Sequence, residues 1–83
     1  MIAPIPVPVE CHSGYRADEY PTAVYLEGRR REVAEILDRW YQGTSDPESP
    51  AVRYFKVRTT ERRSLILKHD PTHHAWYLVC ELE

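Results

Sequence analysis

The sequence predicts a small, mainly β domain, an antiparallel meander of about five to six strands that closes into a barrel or a rolled sheet. Three observations predict it. Apolar and polar residues alternate over 52–59, 64–69 and 75–82, the period of a half-buried strand. Turn-forming stretches such as Glu27-Gly28 and Asp70-Pro71 keep the connections short, and no repeat period runs through the chain. With 83 residues, 42 % of them apolar, there is material for one hydrophobic core, so residues 1–83 are read as a single domain.

The opening stretch places Pro4, Pro6 and Pro8 at every second position. In an extended strand alternate N–H groups point to the same side, so one edge has no donors while Ile5, Val7 and Val9 still pair through the other. This is read as an outermost strand whose open side is blanked against strand addition, in preference to a polyproline-like arm. Ser13-Gly14 and Asp18-Glu19 turn the chain away. Residues 22–26 are β-branched and aromatic, with Val24 and Leu26 on one face and Ala23 and Tyr25 on the other. Glu27-Gly28 supplies a two-residue hairpin loop, because glycine tolerates positive φ, and 29–33 return beside 24–26.

Residues 31–41 carry two signals. Val33, Ile36, Leu37, Trp40 and Tyr41 have the spacing of an amphipathic helix, so an α+β fold with one helix at 31–41 is the alternative. Against it stand the hairpin directly before, the lack of an N-cap residue, and a bulge near Ala34-Glu35 that would shift a strand's phase by one. A bent, bulged strand is preferred. Residues 43–50, rich in Pro and Ser, are expected to form a mobile surface loop. Beyond it Phe55 and Val57 oppose Tyr54, Lys56 and Arg58, 60–62 turn the chain into 64–69, and Asp70-Pro71-Thr72-His73 composes a type I turn. The last strand puts Trp76, Leu78, Cys80 and Leu82 on one face. Phe55, Val57, Leu65, Leu67, Trp76 and Leu78 are the expected core.

Eleven Lys and Arg against thirteen Asp and Glu give a net charge of −2, so nothing attracts the whole molecule to nucleic acid or anionic lipid. Any such contact requires a local patch. Prolines interrupt the apolar start, no run approaches the ~18 apolar residues of a membrane span, and Cys11 and Cys80 are too few for a secreted disulfide scaffold. These observations imply a cytoplasmic protein with reduced thiols and no membrane contact; a monomer or weak dimer is expected, though nothing in the sequence specifies the oligomeric state.

The succession Leu26-Glu27-Gly28-Arg29-Arg30, then Val33-Ala34-Glu35-Ile36-Leu37-Asp38-Arg39-Trp40, then Arg53-Tyr54-Phe55-Lys56-Val57-Arg58, then 65–70 and Trp76-Tyr77-Leu78-Val79 resembles an uncharacterised family of small bacterial proteins, a domain of unknown function. Similar domains occur at the tail of polymerase-like proteins of the mutagenic repair type. The resemblance spans roughly Val7 to Leu82, rests on strand and turn residues, and implies a fold but no reaction. The chain departs from the family at Arg31, where the pattern has an aromatic, and in its longer loop at 43–50, which weakens any transfer of a partner.

Chemistry-bearing residues are sparse. His69 and His73 have the His-x3-His spacing of a zinc site, with His74, Cys11 and Cys80 as further ligand types, but that motif belongs on a helix and here spans a proline turn. Solvated turn histidines and core-filling thiols are expected, with no metal or cofactor. Ser64, His69 and Asp70 are the residue types of a triad without a Gly-x-Ser-x-Gly elbow. Carboxylate pairs such as Glu32 with Glu35 and Asp46 with Glu48 are solvated, and no two glycines are close enough to cradle a phosphate. The chain reads as no enzyme.

Two binding roles compete. The first expectation is a non-enzymatic module contacting another protein by an exposed patch or an unblanked strand edge. The alternative is a single-stranded DNA or RNA accessory module using a basic and aromatic face of Tyr54, Lys56, Arg58, Arg63, Lys68 and Tyr77, with Arg29 and Arg30 beside the hairpin. An ordinary solvent face, its charges neutralised by Glu32, Glu61 and Glu81, has the same composition, and the net charge favours that reading.

Overall fold

The computed structural model describes residues 4–13, 19–42, 52–71 and 73–82. Seven strands form one antiparallel sheet: β1 (Ile5–Pro6), β2 (Val9–Ser13), β3 (Glu19–Leu26), β4 (Arg29–Gln42), β5 (Val52–Thr59), β6 (Ser64–Asp70) and β7 (Ala75–Leu82). Their order is β1-β7-β6-β5-β4-β3-β2. The meander is the expected one, and the sheet curls into a half-barrel.

The extra strand comes from the proline-rich start. β1 pairs with β7 and β2 with β3, so two strands consecutive in sequence lie at opposite ends of the strand order. Val7 and Pro8 join them: the Val7 N–H donates to the Trp76 carbonyl at 3.1 Å, and the Pro8 carbonyl accepts from the Tyr25 N–H at 3.0 Å. The predicted single edge strand is thus divided where the prolines remove donors, and the sheet must roll for both halves to pair. A register shift between Glu10 and Cys11 places Cys11 opposite Pro21, another residue with no N–H to give.

The hairpin between β3 and β4 is as expected: Leu26 pairs with Arg29, and Glu27 and Gly28 hold φ of 55° and 75°. Positive φ at both central residues matches the strand twist.

No helix forms at 31–41; the alternative α+β fold is corrected to a fourteen-residue strand. Register shifts between Val33 and Glu35 and between Ile36 and Asp38 mark two bulges, which leave Ala34 and Leu37 without opposite residues on β5. Each bulge adds one residue to the strand's period of two. Val33, Ile36 and Arg39, opposite Thr59, Val57 and Phe55, therefore reach the same face at intervals of three. That interval is the source of the helix-like spacing.

The concave face holds Val24, Leu26, Phe55, Val57, Leu65, Leu67 and Trp76, with Val7, Val9, Tyr20, Val33, Ile36 and Leu78 packed around them. Of the six expected core residues only Leu78 is half-buried rather than buried. Burying each of these side chains contributes about 1.5–3 kcal/mol. Two expectations about the last strand are corrected. A register shift opposite the Ile66/Leu67 step pairs Leu78 with Leu67 but Cys80 with Ile66, so Val79 is skipped, and Cys80 and Leu82 fall on the opposite face from Trp76 and Leu78. Cys80 and Cys11 are both exposed, not core fillers. The expected loop at 43–50, the turn at 14–18 and Thr72 lie outside the described residues.

Candidate functional site

Directly opposite residues of an antiparallel pair share a face, so the register strings side chains into rows across the strands. One row on the convex face runs Trp40, Tyr54, Lys68, Tyr77 over β4, β5, β6 and β7. The Trp40 and Tyr54 rings are parallel within 3°, with centroids 5.5 Å apart, an offset stack. The Tyr54 hydroxyl donates to Gln42 Oε1 at 2.8 Å, which holds the ring. Lys68 Nζ lies 5.8 Å from the Tyr77 ring centroid, within cation–π range. Lys56 sits one row away, opposite Asp38 and Ile66.

Among the described residues the same end of the sheet carries three of the four exposed large apolar side chains, Leu37, Trp40 and Tyr41, with Tyr41 63 % exposed. On the opposite, concave face of this end, Arg53 lies 5.8 Å from the Tyr41 ring centroid, and exposed Arg39 shares that face. Among the described residues Lys56, Lys68, Arg39 and Arg53 enter no ion pair. Two carboxylates nearby are engaged elsewhere: Asp38 accepts from the Arg39 backbone N–H at 2.8 Å, and Asp70 pairs with the His73 ring at 2.8 Å.

Four arginines of the rest of the surface are matched by carboxylates, whereas the exposed Arg29 and Arg62 enter no ion pair among the described residues. Arg30 Nε meets Glu10 at 2.7 Å, Arg31 meets Glu61 at 2.6 Å, Arg58 meets Glu35, and Arg63 meets Glu81 at 2.6 Å and Glu27 at 3.5 Å. Glu61 and Glu81 act as expected; the Glu32 carboxylate enters no ion pair among the described residues. The hydrogen bond from Arg30, then that from the Tyr25 hydroxyl at 2.6 Å, hold Glu10 below the usual carboxylate range. Arg31 does the same to Glu61 and Arg63 to Glu81. Sharing Glu10 pushes the Tyr25 hydroxyl up.

Of the residues singled out in the sequence, Tyr54, Lys68 and Tyr77 come together in one row and Lys56 lies beside it. Arg58, Arg63 and Arg30 are held by carboxylates, and Arg29 sits exposed opposite Leu26 at the hairpin. Sequence reasoning missed Trp40, Tyr41, Arg39 and Arg53. The helix-like spacing puts Trp40 on an apolar stripe, and a single bulge near Ala34 keeps it there; the second bulge, between Ile36 and Asp38, returns it to the face of Tyr54. Counting both bulges would have found it.

The other constellations do not assemble. Ser64 and His69 are at opposite ends of β6, about 17 Å apart by strand geometry, and lie on opposite faces. His69 is buried with its ring stacked on Trp76 at 4.4 Å, a correction to its expected place in a solvated turn; His73 and His74 are exposed as expected. No group of three or more metal-ligating side chains forms among the described residues.

Beyond Glu32, β4 has no strand on its β3 side among the described residues. Its bulges and the Asp38 carboxylate on the Arg39 N–H obstruct addition of a strand there. No family model, curated protein or solved structure matches this chain.

Proposed function

We propose that the chain is a non-enzymatic module that binds single-stranded nucleic acid on the row Trp40, Tyr54, Lys68, Tyr77. The observation that carries this reading is the row itself: Lys68, in no ion pair among the described residues, lies over the Tyr77 ring beside the stacked Trp40 and Tyr54, whereas Arg30, Arg31, Arg58 and Arg63 are each matched by a carboxylate. Rings offer every base a stacking surface, and lysines hold the phosphates between bases. The overall charge of −2 matters little at this range, because fields from charges more than about 8 Å away are screened at physiological salt.

Titration of the chain with an oligothymidylate of about a dozen nucleotides tests the reading. Trp40 reports directly, being 37 % exposed against 8 % for Trp76. Binding is expected at low salt and declines as salt rises. Trp40→Ala and Tyr54→Ala each weaken it by about tenfold or more, in line with about 1–3 kcal/mol per stacked base. Arg58→Gln, which removes a cation already matched by Glu35, changes it less than about twofold. No binding at low salt by DNA or RNA oligonucleotides rejects the proposal.

A protein partner is the second reading, favoured by the exposure of Leu37, Trp40 and Tyr41 along one stretch of β4, Trp40 on the convex face and Tyr41 on the other. Trp and Tyr are residues on which interfaces concentrate binding energy. The obstructed β4 edge makes docking against the side chains, rather than strand addition, the mode for such a partner.

A further inference from the structure

We infer that the bound strand crosses the β-strands from β4 to β7 over two separate stacking stations, with Lys68 between them, in a site about three to four nucleotides long. This deepens the nucleic-acid reading and rests on it.

The direction follows from what each path would meet. A strand laid along β5 from Tyr54 passes Lys56, opposite Asp38, and then Arg58, which Glu35 already holds. It finds no second ring. A strand laid across the sheet meets the stacked Trp40 and Tyr54, then Lys68, then Tyr77. Beyond Tyr77 the next residue in the row is Pro6 on the short strand β1, where the platform stops.

The length follows from strand spacing. Neighbouring strands lie about 4.8 Å apart, so Trp40 and Tyr77, three strands apart, are separated by about 14 Å. A stacked single strand rises about 3.4 Å per nucleotide, so about four nucleotides fill that span, and fewer if the strand is stretched. Tyr54 and Tyr77 are two strands apart, about 10 Å, too far for adjacent stacked bases. The intervening backbone passes over Lys68, whose ammonium group enters no ion pair among the described residues. Bases inside a duplex cannot reach either station, so an unpaired strand is the ligand.

A length series of oligothymidylates, followed by fluorescence anisotropy on the full chain, tests this. Affinity is expected to climb steeply up to about four nucleotides and then to rise only with the number of ways a longer strand can sit. Tyr77→Thr, which removes the ring but keeps a residue that favours strands, lowers affinity for the tetranucleotide about fivefold or more but leaves the dinucleotide unchanged. Lys68→Gln reduces the salt dependence by about 0.7 in log–log slope, the loss of one phosphate contact. A steep rise continuing well beyond four nucleotides, or a Tyr77→Thr variant matching the parent at every length, overturns the crossing path while leaving binding itself intact. Absence of binding at every length rejects the function and this inference with it.

Discussion

The hairpin end of the sheet and the Trp40 end are built from the same materials, arginines, aromatics and carboxylates, yet they present different surfaces. At the hairpin end Tyr25 and Arg30 both bind Glu10, Arg31 binds Glu61, and Arg63 lies between Glu81 and Glu27. At the Trp40 end the cations Arg53 and Lys68 lie over tyrosine rings, and Lys56 is in no ion pair among the described residues. A run of basic residues in sequence is therefore a poor guide to a basic surface. Cross-strand neighbours decide whether a charge is available, and Arg29-Arg30-Arg31, the densest basic run in the chain, supplies two of the neutralised cations.

The comparison breaks most decisively if the exposed rings prove to be structural. Leu67→Ala, at a position with no exposure, is expected to lower unfolding free energy by about 2–5 kcal/mol, whereas Trp40→Ala forfeits at most about 1.5 kcal/mol from its stack on Tyr54. Urea unfolding measures both, and similar losses would place Trp40 in the core's service. Charge reversal sharpens the contrast next. Lys68→Glu should weaken oligonucleotide binding by about tenfold or more, while Arg30→Gln at the hairpin end changes it less than about twofold.

A smaller effect separates backbone from side chain at the hairpin. A Cβ at Gly28 would meet nothing within 4 Å, so Gly28→Ala carries only the cost of φ at +75°, about 1–2 kcal/mol of stability. Thermal unfolding detects it, and binding at the Trp40 end should not change. The smallest effect is acid sensitivity. Glu10, Glu61 and Glu81 ionise more readily folded than unfolded, so the folded state binds fewer protons than the unfolded chain below about pH 4.3. The stability they contribute is present above that pH and is lost as the pH falls through their lowered values. Glu81→Gln should flatten part of that decline in a series of thermal midpoints, and a steeper decline would show that the Arg63 pair does not stabilise the fold.

Much of the sheet was legible because period-two burial is a local property. Phe55 and Val57 alternate with Tyr54, Lys56 and Arg58, and Leu65 and Leu67 with Ile66 and Lys68, on opposite faces as the alternation requires. Glu27-Gly28 marked its own turn. What failed were positions after a bulge. The alternation puts Cys80 and Leu82 one residue out of phase because a register shift on β7 leaves no local composition cue, and on β4 the one bulge legible near Ala34 misplaces Trp40 until the second restores its phase.

Half of the candidate site was similarly readable. Tyr54, Lys68 and Tyr77 could be placed on one face from alternation within their own strands. Their alignment in a row with Trp40 depends on register between strands whose connecting residues 43–50 do not reveal it.

The residues alone determined that the chain would be an antiparallel meander, where its hairpin would turn, and that Phe55, Val57, Leu65, Leu67 and Trp76 would be buried, because strand period and turn chemistry act between neighbours in sequence. Tertiary structure decided that the proline-rich start serves both ends of the sheet and which arginines are matched by carboxylates. It also brought Trp40 to Tyr54. Each of these depends on pairing between distant segments, and one residue inserted by a bulge reverses the face of every residue that follows.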